Sequence, residues 1–375
     1  MKFFRLLSLQ KAIFLVYCKE EDKRRSAKRM KCESYEILSG DTVTARWENG
    51  TLTVLCDALL PLFLRRTPQI DLWLETRAVD SHRANSRLLK KALRLAEKDD
   101  LSTVLFAHGA TVTDNYWVRP AGSSLTYADV RFDNDYFSTL ALSGTYASFN
   151  RAAGSTRTHT PELTNTGSFE KCWKLCGGKW FLYKKANHNE LFSELFVCRL
   201  GKALGMNMAE YERGNGFIKT RDFTDAARVN FEPAFSFMGD NEAYDAVFKT
   251  LEKLCPQAIP DYVQMIFLDT VTANPDRHTA NFGLLRDTKT GTLLGLAPNF
   301  DNNMALIARG YPAKPSRKDF LITLFCEFLH EFPDVRRFLP KIEENTVRSC
   351  IQELHMRVRT DTITEMILKR AAFIG

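Results

Sequence analysis

Asp276 and Asn281 stand five residues apart in the segment Asn274-Pro275-Asp276-Arg277-His278-Thr279-Ala280-Asn281. Phosphoryl transfer to a hydroxyl needs a carboxylate beside the attacking oxygen and oxygen ligands for Mg2+. It also needs a cation for the phosphates and a cover over them. In a short loop an Asp and an Asn at this separation can face different partners, the nucleophile and the metal. Alone, the spacing fits an Asx-turn or a helix cap equally well. The residues after Asn281 narrow the choice. Phe282-Gly-Leu-Leu, a turn at 288–291 and Leu293-Leu-Gly-Leu predict a hairpin that delivers Asn299-Phe300-Asp301. Asp301 is then expected to be the second metal ligand, and His278 to shape the loop.

The cation is expected at the end of a β-prone run, Phe181-Leu182-Tyr183-Lys184-Lys185. A strand Lys held by a helix Glu can grip the α- and β-phosphates. Alternation puts Leu182 and Lys184 on one face, with Leu182 toward the adenine. Lys185 competes with Lys184, and Glu190 with Glu194, for the two roles. The cover is expected at Thr164-Asn165-Thr166-Gly167-Ser168-Phe169, where main-chain N–H groups and hydroxyls could hold phosphate oxygens. This loop has a single Gly and no G-x-G-x-x-G. Arg221-Asp222-Phe223 is the candidate hinge, whose backbone would meet adenine. Other chemistries lack their motifs: there is no G-x-x-x-x-G-K-[ST], H-E-x-x-H or G-x-S-x-G.

Several elements must position these groups. An apolar helix around Tyr262–Leu268 is broken by Asn274-Pro275, which leaves Asp276 in a loop. Two β-prone runs around Gly177-Gly178 predict a hairpin. A helix over 189–204 follows, stopped by Gly205, then strands at 206–212 and 216–220. Helices dominate from 241 on, including 318–328 and 345–357. Residues 35–56 alternate as strands about Glu48-Asn49-Gly50. A helix over 80–97 has Arg83, Arg87, Lys90, Lys91 and Arg94 on its wet face and Leu88, Leu89, Ala92 and Leu93 on the other. The loop-like stretch 151–168 marks a boundary.

At these residues the sequence resembles the HipA-like serine/threonine kinases, a branch of the protein-kinase-like fold. The N-x-D-x-H-x-x-N loop of that family is matched by Asn274, Asp276, His278 and Asn281, and its metal Asp by Asp301. Its strand Lys is matched by Lys184. Its helix signature is similar to Ser193-Glu194 through Leu204-Gly205, and that register selects Glu194 over Glu190. Ser193 stands where the family usually has Asn. The match covers about 160–375. The N-terminal part, with Leu72-Trp73-Leu74-Glu75-Thr76-Arg77 and Thr113–Trp117, is similar to the front segment of a bacterial subgroup of HipA-domain proteins.

The resemblance implies an α+β bilobal fold, with a β-rich N-lobe at 156–225 and a helical C-lobe at 226–375. An accessory α/β region at 30–155 would precede them. It implies ATP and Mg2+ as cofactors, with Asp276 as base, Asn281 and Asp301 on the metal, and Lys184 and Glu194 at the phosphates. Thr166, Gly167 and Ser168 would cover the nucleotide, and Leu182, Arg221, Asp222 and Phe223 would line it. A protein substrate follows from it, as does an antitoxin-like regulator as partner. Thr164, Thr166 and Ser168 are candidates for autophosphorylation. Small-molecule kinases of the same fold and nucleotide-binding pseudokinases remain alternatives.

The bulk properties agree. A chain of 375 residues with 45% hydrophobic content can bury a sizeable core. A net charge of +7 suits an anionic ligand, and no dense basic stripe points to direct nucleic-acid binding. The nine cysteines show no framework, which points to a reducing, cytoplasmic compartment. Cys198 and Cys326 are expected in the core. Residues 1–29 are expected to be a leader outside the fold, with Met30 as the functional start. No run is long enough to cross a bilayer.

Overall fold

The computed structural model describes residues 34–97, 99–311 and 318–374. The expected leader at 1–29 lies outside the described residues. The N-terminal region is built on an antiparallel sheet of β1 (Ser34–Ser39), β2 (Thr42–Glu48), β3 (Thr51–Val54) and β4 (Tyr116–Pro120), in the order β3-β2-β1-β4. Asn49 and Gly50 turn β2 into β3 with φ of 48° and 83°, the pair of positive values that a two-residue hairpin loop demands. Both faces of β4 are buried: Tyr116 and Val118 enter one core, and Trp117 enters another.

The long basic helix expected at 80–97 is not formed. Only α1 (Ser86–Ala92) is helical, and Arg94, at φ 54°, ends it. Residues 80–85 instead make tight turns begun by Asp80, which accepts the His82 N–H at 2.8 Å. Nor is the basic face uniformly wet, because Arg83 and Lys90 are buried.

The second sheet contains β5 (Lys171–Cys176), β6 (Lys179–Lys185), β7 (Tyr211–Arg213) and β8 (Phe217–Arg221), in the order β5-β6-β8-β7. Gly177 and Gly178, both with positive φ, turn β5 into β6. Of the run 206–212, expected as a strand, only its end is one; Met208 makes an isolated parallel bridge to Asn299. Between β6 and β7 lies α2 (His188–Ala203), begun by a reciprocal cap. Asn187 accepts the Asn189 and Glu190 N–H groups, and Glu190 accepts the Asn187 N–H at 2.9 Å. Glu190 is therefore a helix-start residue. Gly205, at φ 75°, follows the helix end.

A third sheet, β11-β10-β9, joins β9 (Val229–Pro233), β10 (Gly283–Asp287) and β11 (Leu293–Leu296). It rests on the helical part, where α3 (Ile259–Val271) is buried almost all round. Helices α4 (Phe320–Glu331), α5 (Glu344–Gln352) and α6 (Thr360–Ala372) also belong to that part, as does the helix Tyr244–Leu254. One large core takes Phe192 and Phe196 from α2, Ile266 and Phe267 from α3, and Phe325 from α4. Cys198 lies in it, whereas Cys326, expected there too, is only half-buried. No helix among the described residues is long and apolar enough to cross a membrane.

Candidate active site

The loop after α3 is organised by side chains that it shares with the helix. Asn274 donates to Asp269 Oδ1 at 2.8 Å, and its Oδ1 accepts the Asp276 N–H at 3.3 Å. The Asx-turn is thus real, and it is what presents Asp276 in the half-exposed mouth of the loop. His278 accepts the Ala280 N–H through Nδ1 at 3.3 Å, and its carbonyl accepts the Asn281 N–H at 2.8 Å. The Asn281 side-chain amide donates to the Asp276 carbonyl at 3.0 Å, which leaves its Oδ1 for another partner.

Arg277, which the sequence reading gave no role, joins this loop to the segment carrying Asp301. Its guanidinium grips Asp269 at 2.8 and 3.0 Å and the carbonyls of Asn281 and Phe300 at 2.8 and 2.7 Å. It also donates to the side-chain oxygens of Asn299 and Asn302 at 2.9 and 2.8 Å. The side chains of Arg277 and Asp269 are 6% and 1% exposed. The planar fork is the feature used; an ammonium could not span these acceptors. Asp301 itself sits at φ 61°, with its N–H donated to Tyr211 Oη at 3.0 Å.

Lys184 reaches Asp301 Oδ1 at 2.5 Å and lies 4.3 Å from the centre of the Phe169 ring. The expected direct pairing of Lys184 with Glu194 is not formed. Fully buried Glu194 instead accepts the Asn302 N–H at 2.7 Å, one residue beyond Asp301. Burial, reinforced by Asp301, pushes the Glu194 carboxyl up to about 7. Burial also opposes the charge of Asp301, but the cations Lys184, Lys171 and Arg277 outweigh it and hold its carboxyl below the usual range. Ser193 donates to the Ala305 carbonyl at 2.6 Å, so α2 anchors the Asp301 segment at two adjacent residues.

Lys171, also missed, faces Lys184 across the β5–β6 ladder. A Cβ added at Gly167 would lie 2.5 Å from its Nζ. Burial lowers its ammonium to about 7, with Arg83 adding to the effect. Among the described residues no ion pair or hydrogen bond fixes the Lys171 ammonium. The signal was present in the sequence as an alternating Lys at the start of the first strand, but only strand register shows that it lies opposite Lys184.

Thr166, Gly167 and Ser168 are exposed, and Gly167 has φ 95°. Thr164 is buried and donates to the Ala110 carbonyl at 2.6 Å, which removes its hydroxyl as an acceptor of phosphate. Leu182 pairs with Trp173 across the strands and packs at the edge of the second core. At the expected hinge, the Asp222 carboxylate caps the next turn through Thr224 and Ala226 at 2.7–2.9 Å. Arg221 lies 3.8 Å from Asp225. Phe223 packs against Phe231 and Phe300, which connects this strand end with the Asp301 segment.

The donor set suits a hard cation. Asp301 and Asn281 offer a carboxylate and an amide oxygen, the ligand type that Mg2+ takes when phosphates supply the rest. No group of three or more His, Cys, Asp or Glu side chains converges among the described residues.

The model of the HipA-like C-terminal domain matches residues 155–360, more than half of the chain. The chain belongs to the HipA-like family. Its structure is similar to HipA of Shewanella oneidensis MR-1, solved with HipB and its operator DNA. That likeness has a TM-score of 0.50 and 15% identity, and covers 90% of this chain and 97% of that one. It is also similar to the Helicobacter pylori proinflammatory kinase CtkA, at a TM-score of 0.42 and 17% identity, over 54% of this chain and 90% of that one. No curated protein matches. The fold of this HipA-like chain is α+β, bilobal and protein-kinase-like, with an N-terminal α/β region ahead of it.

Proposed function

We propose that this HipA-like protein is an ATP- and Mg2+-dependent phosphotransferase acting on a Ser or Thr hydroxyl of a protein. The observation that carries the reading is the convergence of Lys184 on Asp301 at 2.5 Å, with Arg277 tying Asp301's neighbours to the loop of Asp276 and Asn281. In this reading residues 30–155 are the accessory region, 156–225 the N-lobe and 226–375 the C-lobe, and the protein works in the cytoplasm. Asp276 orients the substrate hydroxyl and accepts its proton as that oxygen bonds to the γ-phosphorus. The bond from phosphorus to the bridging oxygen breaks, and ADP leaves. Lys184 and Lys171 offset the phosphate charge, while Glu194 positions the Asp301 turn. Asn281 and Asp301 would hold Mg2+, which supplies charge neutralisation at the phosphate oxygens. Thr166, Gly167 and Ser168 cover the phosphates, and adenine lies between Leu182 and the Arg221-Asp222-Phe223 backbone. An antitoxin-like regulator is proposed as partner by analogy with the HipA complex.

Purified wild type given labelled ATP should place label in protein, and Asp276→Ala should not. Label found only in a metabolite fraction would make the protein a small-molecule kinase instead. One observation favours a nucleotide-binding regulatory module as the second reading: Lys184 is engaged by Asp301 and not by Glu194. A thermal shift with ATP and no ADP formed would select that reading.

A further inference from the structure

Arg83 was expected on a solvated face, yet it is 2% exposed and reaches into the loop over the proposed phosphate site. Its Nη2 donates to the carbonyls of Asn165, Thr166 and Gly167 at 2.6, 3.2 and 2.7 Å, and its Nε to Gly167 at 3.1 Å. The positive φ of Gly167 allows its carbonyl to turn that way. A loop whose successive carbonyls are gathered to one side presents its N–H groups to the other, the arrangement that binds anions. Among the described hydrogen bonds, none uses the N–H of Thr166, Gly167, Ser168 or Phe169.

The same N-terminal region holds both ends of the loop. The Val79 N–H donates to the Leu163 carbonyl at 2.8 Å, and Thr164 donates to the Ala110 carbonyl at 2.6 Å. Asn85 donates to the Glu170 carboxylate and, at 3.0 Å, to the Ala141 carbonyl. These contacts fix where the loop starts and stops. Among the described residues, Arg83 is the side chain that reaches three of its carbonyls in succession.

We infer that Arg83 is the positioning residue that aims the N–H groups of the 164–169 loop at the nucleotide phosphates, so that the nucleotide site is completed by the N-terminal region. This rests on the reading of that loop given under the proposed function. Arg83 touches no reacting atom; it acts through the carbonyls that it holds. Its removal therefore weakens binding of the phosphates and leaves recognition of the nucleoside unchanged.

The test is calorimetric titration of the full chain with Mg·ATP, Mg·ADP and adenosine. Wild type, Arg83→Ala and Arg83→Lys are compared. Losing charge-assisted hydrogen bonds of this kind should weaken Mg·ATP by about ten- to hundredfold in Arg83→Ala. Mg·ADP should weaken too, and adenosine should bind as before. Arg83→Lys, which keeps the charge without the fork, should fall between. The inference is overturned if Arg83→Ala binds Mg·ATP as wild type does. It is equally overturned if ATP and adenosine weaken together, which is what a merely structural role gives. Should Arg83→Ala fail to fold, Arg83→Lys decides on the same comparison. Wild type that binds no nucleotide would overturn the proposed function as well, and so is distinct from a failure of Arg83 alone.

Discussion

At the scale of the residue, the site depends on one guanidinium. Arg277 satisfies oxygen acceptors from α3, from its own loop and from both sides of Asp301. Substituting Met would leave Asp269 as a buried, uncompensated carboxylate, since Asn274 is its other side-chain donor. Breaking a buried pair in this way costs about 3–5 kcal/mol. Arg277→Met should therefore unfold at markedly lower denaturant, and a loss below about 1 kcal/mol would show that the network contributes little. Asp276, Asn281 and Asp301 were legible in the sequence as candidates because their spacing is local and the intervening hairpin has its own turn signals. Arg277 and Lys171 were not. What they do depends on acceptors and charges brought in by register and by distant segments, such as Phe300 and Asn302 for Arg277 and Lys184 for Lys171. For hydroxyls the structure sharpens the expectation further. Thr164 is committed to Ala110, so label appearing in the loop should fall on Thr166 or Ser168 when tryptic peptides are sequenced. Label on Thr164 would mean that the loop leaves its present anchorage.

At the scale of the element, the loop at 164–169 and the β5–β6 hairpin behave as one unit around Glu162. This buried carboxyl accepts the Trp173 N–H at 2.8 Å and the Asn165 amide at 3.1 Å. Burial, which these donors offset only in part, lifts its pKa from the ordinary 4.5 to about 7. Between those two values the folded protein binds more protons than the unfolded chain. The contribution to stability is fully present below 4.5 and is lost as pH rises through about 7. Melting temperatures measured from pH 4.5 to 8 should thus fall more steeply in wild type than in Glu162→Gln, which has no proton to lose. Parallel curves would contradict this. The hairpins were legible because Gly177-Gly178 and Asn49-Gly50 can take positive φ cheaply. The break in the helix expected at 80–97 is not legible, because a basic pattern at helical spacing does not reveal that Asp80 starts a turn or that Arg83 finds carbonyls inside.

At the scale of the whole molecule, the N-terminal region is continuous with the kinase-like part. Arg286 and Glu232, 1% and 3% exposed, pair at 2.9 Å. They bind Tyr116, the Leu60 carbonyl and the Leu62 N–H from the N-terminal region. The second core is also shared, since Leu163, Trp173 and Trp180 pack with Leu89, Trp117 and Phe137. Expressed alone, residues 155–375 would expose that apolar surface and leave the Glu232–Arg286 pair without its other partners. That fragment should be insoluble or should melt well below the full chain; a soluble fragment that melts like the full chain would contradict the shared core. Loop composition at 151–168 reads as a boundary in the sequence, but a helix runs to Ala153 and a 3-10 turn spans Pro161–Thr164, and composition carries no information on what packs across the stretch. The central claim, that Asp276 is the base of a phosphotransferase, is tested most directly by γ-phosphate transfer from labelled Mg·ATP under single-turnover conditions. Wild type and Asp276→Ala should bind the nucleotide alike, and transfer should fall by about 100-fold or more in the variant. Equal transfer by the two proteins, or nucleotide binding by wild type without any transfer, would contradict the account.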